Sequence, residues 1–273
     1  MQIFVISLKQ SVERRKYITE QFNKLGLQFS FFDAYLGTNY FNNSEYYDDK
    51  KARKNIHRSL KAGEVGCALS HNAVYKLIVE QHIPYALICE DDIVVSNDLP
   101  VVLDKVVPYL RGPSIITLDR CDVYRKKVLT NIYKDYYITK PRYIREGGMA
   151  NASGYVLTYE AAKAIATINF PAWCPADSWG AYLKAVDFCG IIPTQTIIHQ
   201  NKKLFNSTIQ SDGIKNEITN DYSDKVETFS AFTLWKYGLK TYVPLTSHVY
   251  RFARWIYRHT IMKIKNFHLD KSI

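Results

Sequence analysis

The chain opens with a strand, a helix and a second strand, and that order restricts it to α/β architectures. Ile3 to Leu8 is a β-type apolar run. Ser11 stands as an N-cap ahead of Glu13, Arg14 and Arg15; Ile18, Phe22 and Leu25 then recur at helical spacing until Gly26 stops the helix. Phe29 to Ala34 reads as the second strand. Strands joined through a helix pair in parallel, so this opening predicts a mostly parallel central sheet.

The alternation continues along the chain. A helix is expected from Gly63 to Glu80, with Val65, Leu69, Ala73, Leu77 and Ile78 on one face. Tyr85 to Cys89 is a buried strand, Leu99 to Leu110 a helix closed by Gly112 and Pro113, and Ser114 to Leu118 a strand. Cys121 to Gly148 alternates like a hairpin; Ala152 to Thr158 reads as a strand, Glu160 to Ile168 as a helix. Pro171 to Trp179 reads as a loop, Tyr182 to Cys189 as helical, and Ile191 to His199 as a strand. The polar segments Gly37 to Lys61 and Asn201 to Ser223 read as loops, the first with room for two short helices. Helical pattern dominates from Phe229, which divides the chain into a 1–228 domain and a 229–273 helical extension.

Composition narrows the class. Of 273 residues, 47% are hydrophobic and 23% charged, which excludes disordered, collagen-like and disulfide-scaffold chains. The formal charge is +10, and it is uneven. From His248 to Ile273, six Lys/Arg face one acid, Asp270, so this stretch carries half of the excess. Val249, Phe252, Ala253, Ile256, Tyr257, Thr260, Ile261 and Ile264 follow helical spacing, with Arg251, Arg254, Arg258 and Lys265 on the opposite stripe. A basic amphipathic helix edged by Trp255 fits an anionic membrane surface; a terminal helix docked on the core is the alternative. The N-terminus lacks the pattern of a signal peptide, and no window is apolar enough to span a bilayer, so a cytoplasmic or peripheral location is expected. Five widely spaced cysteines without CxxC read as reduced thiols and argue against zinc or a disulfide framework.

Glu90-Asp91-Asp92 is the sharpest chemical signal. In open α/β sheets ligands bind at the carboxyl ends of strands. Three acids at such an end need a cation, and oxygen ligands suit Mg²⁺ or Mn²⁺ together with substrate phosphates. An acidic loop capping the next helix is the competing reading. Glycines 63 and 66 precede Ser70 and His71 at a helix start, where phosphate binding competes with a structural Ser-His pair. No P-loop or Rossmann fingerprint is present. Asp177 lies between Trp173 and Trp179, which suits a sugar site with Asp177 as the base; an N-cap is the alternative. His199 ends a strand and is either a nitrogen ligand to the metal or a strand-end hydrogen bonder.

Three blocks resemble glycosyltransferase family 25, the lipooligosaccharide biosynthesis galactosyltransferases of Gram-negative bacteria. They are Ile3 to Leu8 with Glu13-Arg14-Arg15, Gly63 to His71, and Leu87 to Asp92. Ser153 to Leu157 and Pro175-Ala176-Asp177 are weaker echoes, and the likeness covers roughly residues 1–200. Ser7 departs from the family's more usual Asn. The resemblance implies a GT-A-like nucleotide-sugar fold, a UDP-sugar donor (commonly UDP-galactose), and a lipid-linked oligosaccharide acceptor. It implies an inverting reaction with a divalent metal held by the acidic motif; Mn²⁺ or Mg²⁺ is expected on Glu90 and Asp92, with His199 as a third ligand and Asp91 near the ribose or donor sugar. Asp177 is the expected base, with Glu64 in reserve. Ser7, Leu8, Arg14, Arg15, Gly63, Ser70, His71 and Gly154 are expected on the donor, and Trp173 and Trp179 on the acceptor. The expected place is the cytoplasmic face of the inner membrane. A nucleic-acid-binding protein and a metal-dependent nucleotidyltransferase are the alternatives, the first disfavoured because the charge is concentrated in one tail and no nucleic-acid motif occurs.

Overall fold

A computed structural model describes residues 1–121, 124–141, 151–192 and 197–201. By internal packing the chain forms two units, Met1–Ala52 with Ser59–Asp212, and Arg53–Arg58 with Gly213–Ile273. The sheet and the site belong to the first. The amphipathic tail from Val249 lies outside the described residues.

The opening follows the pattern in the sequence. β1 (Gln2–Ser7) leads to α1 (Val12–Lys24) and β2 (Ser30–Asp33). Ile18 and Phe22 are the buried positions of α1, and Gly26 takes a φ of 65°, which lets the chain turn back. After a 3₁₀ turn at Gly37–Asn39 come α2 (Asp49–Ile56) and α3 (Ala62–Glu80). β3 (Tyr85–Glu90) carries the acids at its end and is followed by β4 (Ile93–Val95), a short strand the apolar pattern did not separate. Next are α4 (Leu99–Val106) and β5 (Ser114–Arg120). β6 (Tyr124–Tyr133) and β7 (Tyr136–Pro141) are the expected hairpin, β8 (Gly154–Thr158) and α5 (Tyr159–Ile168) the expected strand and helix. β9 (Asp187–Ile192) and β10 (Ile198–Gln200) complete the described chain.

One helix expected from the sequence is a strand instead. Tyr182–Cys189 makes a single turn and then enters β9, which pairs parallel to β5 and antiparallel to β7. Its local pattern is too short to set its own state, and the parallel ladder of β5 with Asp187, Phe188 and Cys189 decides it.

Eight strands form one sheet in the order β2-β1-β3-β8-β5-β9-β7-β6; β10 and β4 form a separate antiparallel pair. The expected parallel pairing holds for β1 with β2, β1 with β3, and β5 with β9. β8 runs antiparallel to both β3 and β5, and the β6–β7 hairpin continues antiparallel beyond β9, so the whole sheet is mixed. Ile3, Val5, Leu87, Cys89 and Val156 on one face meet Ile18 and Phe22 of α1 and Leu99, Val102 and Val106 of α4. Phe4, Ile6, Ala86, Ile88 and Leu157 alternate with them and are buried too. Strands covered on both faces read as continuous apolar runs, which is how these residues read.

The loop after β2 is pressed against the start of α3. The Ser70 hydroxyl accepts from Tyr35 N (2.9 Å) and donates to Gly66 O (2.6 Å). A Cβ on Gly66 would stand 2.6 Å from the Tyr35 carbonyl oxygen and 2.7 Å from Gly37 N. Inside an ordinary helix Gly→Ala stabilises by roughly 1 kcal/mol. Here the added methyl meets backbone that cannot step aside. Gly66→Ala is expected to lower unfolding free energy by about 2 kcal/mol or more in a urea titration; a stabilised variant would refute the close packing.

Candidate active site

β1 and β3 run side by side, with Ile6 opposite Glu90, so the two strand ends and the turn after β3 meet at one edge of the sheet. Asp91 turns back toward β1. Its carboxylate accepts from the Ser7 hydroxyl (2.7 Å) and from Arg14 Nη1 (2.7 Å), and it is nearly buried. Arg15 donates to the Ser7 carbonyl (2.8 Å), pairs with Asp33 and lies over the Phe31 ring. Leu8 contributes its carbonyl, which accepts from Ser11 N and Ser7 Oγ. Ser7, Leu8, Arg14 and Arg15 are thus brought together, and the two arginines are engaged with the protein's own acids.

Glu90 faces inward. Its Oε2 accepts from Gln200 (3.2 Å), and its Oε1 lies 3.7 Å from His71 Nε2 and 3.8 Å from Cys67 Sγ. Burial acts to raise the Glu90 carboxyl; the facing His71 ring, with Gln200 and Cys67, outweighs it, and the group ionises below the ordinary Glu value. Asp92 has the opposite balance. One of its oxygens is 3.9 Å from Arg14, and the other, Oδ1, is buried without a hydrogen-bond partner among the described residues. Burial and the charge of Glu90 outweigh Arg14 and push its pKa up to about 7.

The remaining expected residues lie on several elements. Asp177 is half-buried in its loop; burial first, then the charge of Glu90, raise its pKa above the ordinary value, so it shares the field of the same acids. Gly154 starts β8 opposite Cys89, and a Cβ there would press into the Ile198 side chain. Glu64 accepts from Lys61 N (2.8 Å) and so caps α3, which also contains Gly63. Ser70 and His71 are both buried, Ser70 holding the Tyr35 loop and His71 meeting Tyr155. His199 is exposed on β10, where neighbouring residues alternate faces and Gln200 is the one that reaches Glu90.

The two tryptophans correct the sequence reading. Trp173 is buried, donates from its indole to Ile168 O and receives Lys51 over its ring. Trp179 is 1% exposed and packs against Tyr155, Tyr182 and Phe188. Neither ring is open for sugar stacking, because each is buried against its neighbours.

Other residues were not picked out from the sequence. Tyr155 Oη sits 2.6 Å from both His71 Nδ1 and Tyr75 Oη. Buried Asp119, at the end of β5, accepts from Ser153 (2.9 Å) and Asn151 (3.2 Å), beside the Glu90 backbone that bonds to Ser153 O. A carboxylate at a strand end was the available signal for Asp119. Gln200 carried none.

Residues 1–179 match the model of glycosyltransferase family 25 (LPS biosynthesis protein), and the chain belongs to that family. The lacto-N-neotetraose biosynthesis glycosyltransferase LgtB of Neisseria meningitidis is 33% identical over 101 residues, 36% of this chain and 34% of LgtB. The lipooligosaccharide biosynthesis protein lic2B of Haemophilus influenzae is 27% identical over 173 residues, 59% of this chain and 60% of lic2B. The match therefore spans about a third of one relative and three fifths of the other. A solved glycosyltransferase involved in glycosylation of the major capsid of PBCV-1 overlays with a TM-score of 0.28 at 10% identity, covering 61% of this chain and 63% of that one. Among the described residues no helix is long and apolar enough to cross a membrane.

The raised Asp92 has a consequence for stability. Its carboxyl ionises near 3.8 when unfolded and at about 7 when folded. The folded chain holds that proton more tightly, so its contribution to stability is present on the acid side and is lost as pH rises between about 4 and 7. Asp92→Asn in metal-free buffer is expected to unfold roughly 3–6 °C above the unsubstituted chain at pH 8, an effect on the order of 1–2 kcal/mol. The two melting curves should converge toward pH 4.

Proposed function

We propose that this chain is an inverting, metal-dependent glycosyltransferase with a GT-A-like nucleotide-sugar domain. It moves a hexose, most simply galactose, from a UDP-sugar to a lipooligosaccharide acceptor. The observation that carries this reading is the unpartnered, buried oxygen of Asp92 beside Glu90 at the end of β3. An all-oxygen pair with one orphaned oxygen fits Mn²⁺ or Mg²⁺, which bind through one or two carboxylates and substrate phosphates. The names of the curated relatives support the substrate class.

When bound, the cation supplies a Lewis acid for charge developing on the UDP leaving group. Glu90 and Asp92 would hold it. Arg14 and Ser7 keep Asp91 fixed at the neighbouring strand end, and Asp91 would meet the ribose or donor sugar from there. Asp177, its proton affinity raised by burial and by Glu90, takes the proton of the acceptor hydroxyl. The acceptor oxygen bonds to the anomeric carbon on the face opposite UDP, and the bond to the diphosphate breaks with its electron pair leaving on UDP. The tail from Val249 would hold the enzyme on the anionic cytoplasmic face of the inner membrane, close to its lipid-linked acceptor.

Assays of UDP release across UDP-hexoses, with Mn²⁺ and with EDTA, test the reading. Asp92→Ala is expected to raise the barrier by at least about 3 kcal/mol, more than 100-fold in rate. Full activity of that variant in EDTA would end the metal assignment. Asp177→Asn should retain UDP-sugar binding and lose turnover. In the unsubstituted enzyme, turnover should fall on acidification at a pH above the ordinary Asp value of 3.8, as Asp177 takes up its proton. A chain lacking residues 249–273 should no longer sediment with anionic liposomes.

A further inference from the structure

Three unlike ligating atoms converge on the inner side of Glu90. Cys67 Sγ, a His71 ring nitrogen and a Glu90 carboxylate oxygen all lie within 4.8 Å of one another, and His71 Nε2 is the nitrogen that faces Glu90. Cys67 and His71 are four residues apart on α3 and share one face of it. The separations to Glu90 are 3.8 Å from Cys67 Sγ, the length of a weak S–H···O hydrogen bond, and 3.7 Å from His71 Nε2, long for an N–H···O contact, which centres near 2.9–3.0 Å. They are close to the edges of a tetrahedral metal shell. Bonds of about 2.0–2.3 Å to nitrogen, oxygen and sulfur place neighbouring ligands roughly 3.4–3.6 Å apart.

His71 supplies the second, independent observation. It is 1% exposed, and its Nε2 is buried with no hydrogen bond among the described residues, Glu90 Oε1 standing off at 3.7 Å. Its other nitrogen is held by Tyr155 Oη at 2.6 Å, and Tyr155 is itself 2.6 Å from Tyr75 Oη. One nitrogen fixed by a neighbour and the other aimed at an ion is how ligating imidazoles are oriented. Either tyrosine can donate, so the pair can reverse direction when the imidazole proton moves to Nδ1. Burial, then the charges of Glu90 and Asp177, keep the Cys67 thiol protonated; the same negative surroundings attract a cation able to displace that proton.

We propose that Cys67, His71 and Glu90 form a binding site for a borderline-soft divalent cation, represented by zinc, with a fourth position open. A sulfur–nitrogen–oxygen donor set favours zinc over magnesium or manganese. The site shares Glu90 with the proposed manganese ligands but not Asp92, and it stands whether or not the chain transfers sugars. The absence of CxxC argued against zinc from the sequence. That argument does not reach a ligand 23 residues away that only packing delivers.

The full chain titrated with Co²⁺ alone tests this. One equivalent should produce the visible bands of a tetrahedral ion and a near-ultraviolet sulfur-to-cobalt band, both removed by Zn²⁺. Cys67→Ser should abolish the sulfur band and weaken zinc binding at least about 10-fold, measured by competition with a chromophoric chelator. Glu90→Gln should weaken it at least about as much, and circular dichroism verifies that each variant is folded. Asp92→Asn should keep the sulfur band even where manganese-stimulated turnover is lost, which separates this site from the transferase reading. A cobalt complex without a sulfur band, or zinc affinity unchanged in the folded variants, overturns the proposal.

Discussion

Negative charge gathered in a protein interior has to be answered group by group, and the end of β3 is organised around that requirement. Three consecutive acids leave the strand, and each meets a different answer. Asp91 has Arg14 and Ser7, and Glu90 has Gln200 with the His71 ring opposite. Asp92 keeps one buried oxygen without a hydrogen bond among the described residues and holds its proton to about pH 7. An uncompensated carboxylate costs stability unless something else binds there. That cost is the physical reason to expect a cation or a substrate at this edge.

The supporting layer explains why so many polar residues are buried around it. Ser70 binds the Tyr35 loop to α3, and glycines 37 and 66 let the two backbones approach. Tyr155 holds His71 in one orientation and packs on Trp179. These residues do not face an open cleft. They fix the helix and strand from which the acids project, and rigid support is what a site of preorganised charges requires.

Family membership and geometry meet at the same residues. The matched segment, residues 1–179, contains β1, α1, α3, β3, the acids and Asp177. Membership alone does not say which acid does what. The environments differ: Asp91 is tied to an arginine, Asp92 has an orphaned oxygen, and Asp177 is raised by burial and by Glu90, and the proposed roles follow those differences.

Much of this was legible in the chain. Periodicity places β1, α1, α3, β3 and the β6–β7 hairpin close to where they fold, because each buries a face that its spacing already marks. The acids at the end of β3 could be singled out because charge directly after a buried strand is rare. Other features were decided by long-range packing. Residues 187–189 pair as a strand because β5 lies beside them, against their local pattern. Trp173 and Trp179 read as sugar platforms, yet they fill the core, since an aromatic's spacing does not reveal which side of a loop it faces. Gln200 reaches Glu90, and Cys67 and His71 reach it as well, across separations where sequence carries no distance information. Local pattern could determine which residues are strand, helix and acid. Only the tertiary structure could decide which of those acids stay uncompensated, because compensation depends on neighbours that folding brings from elsewhere in the chain.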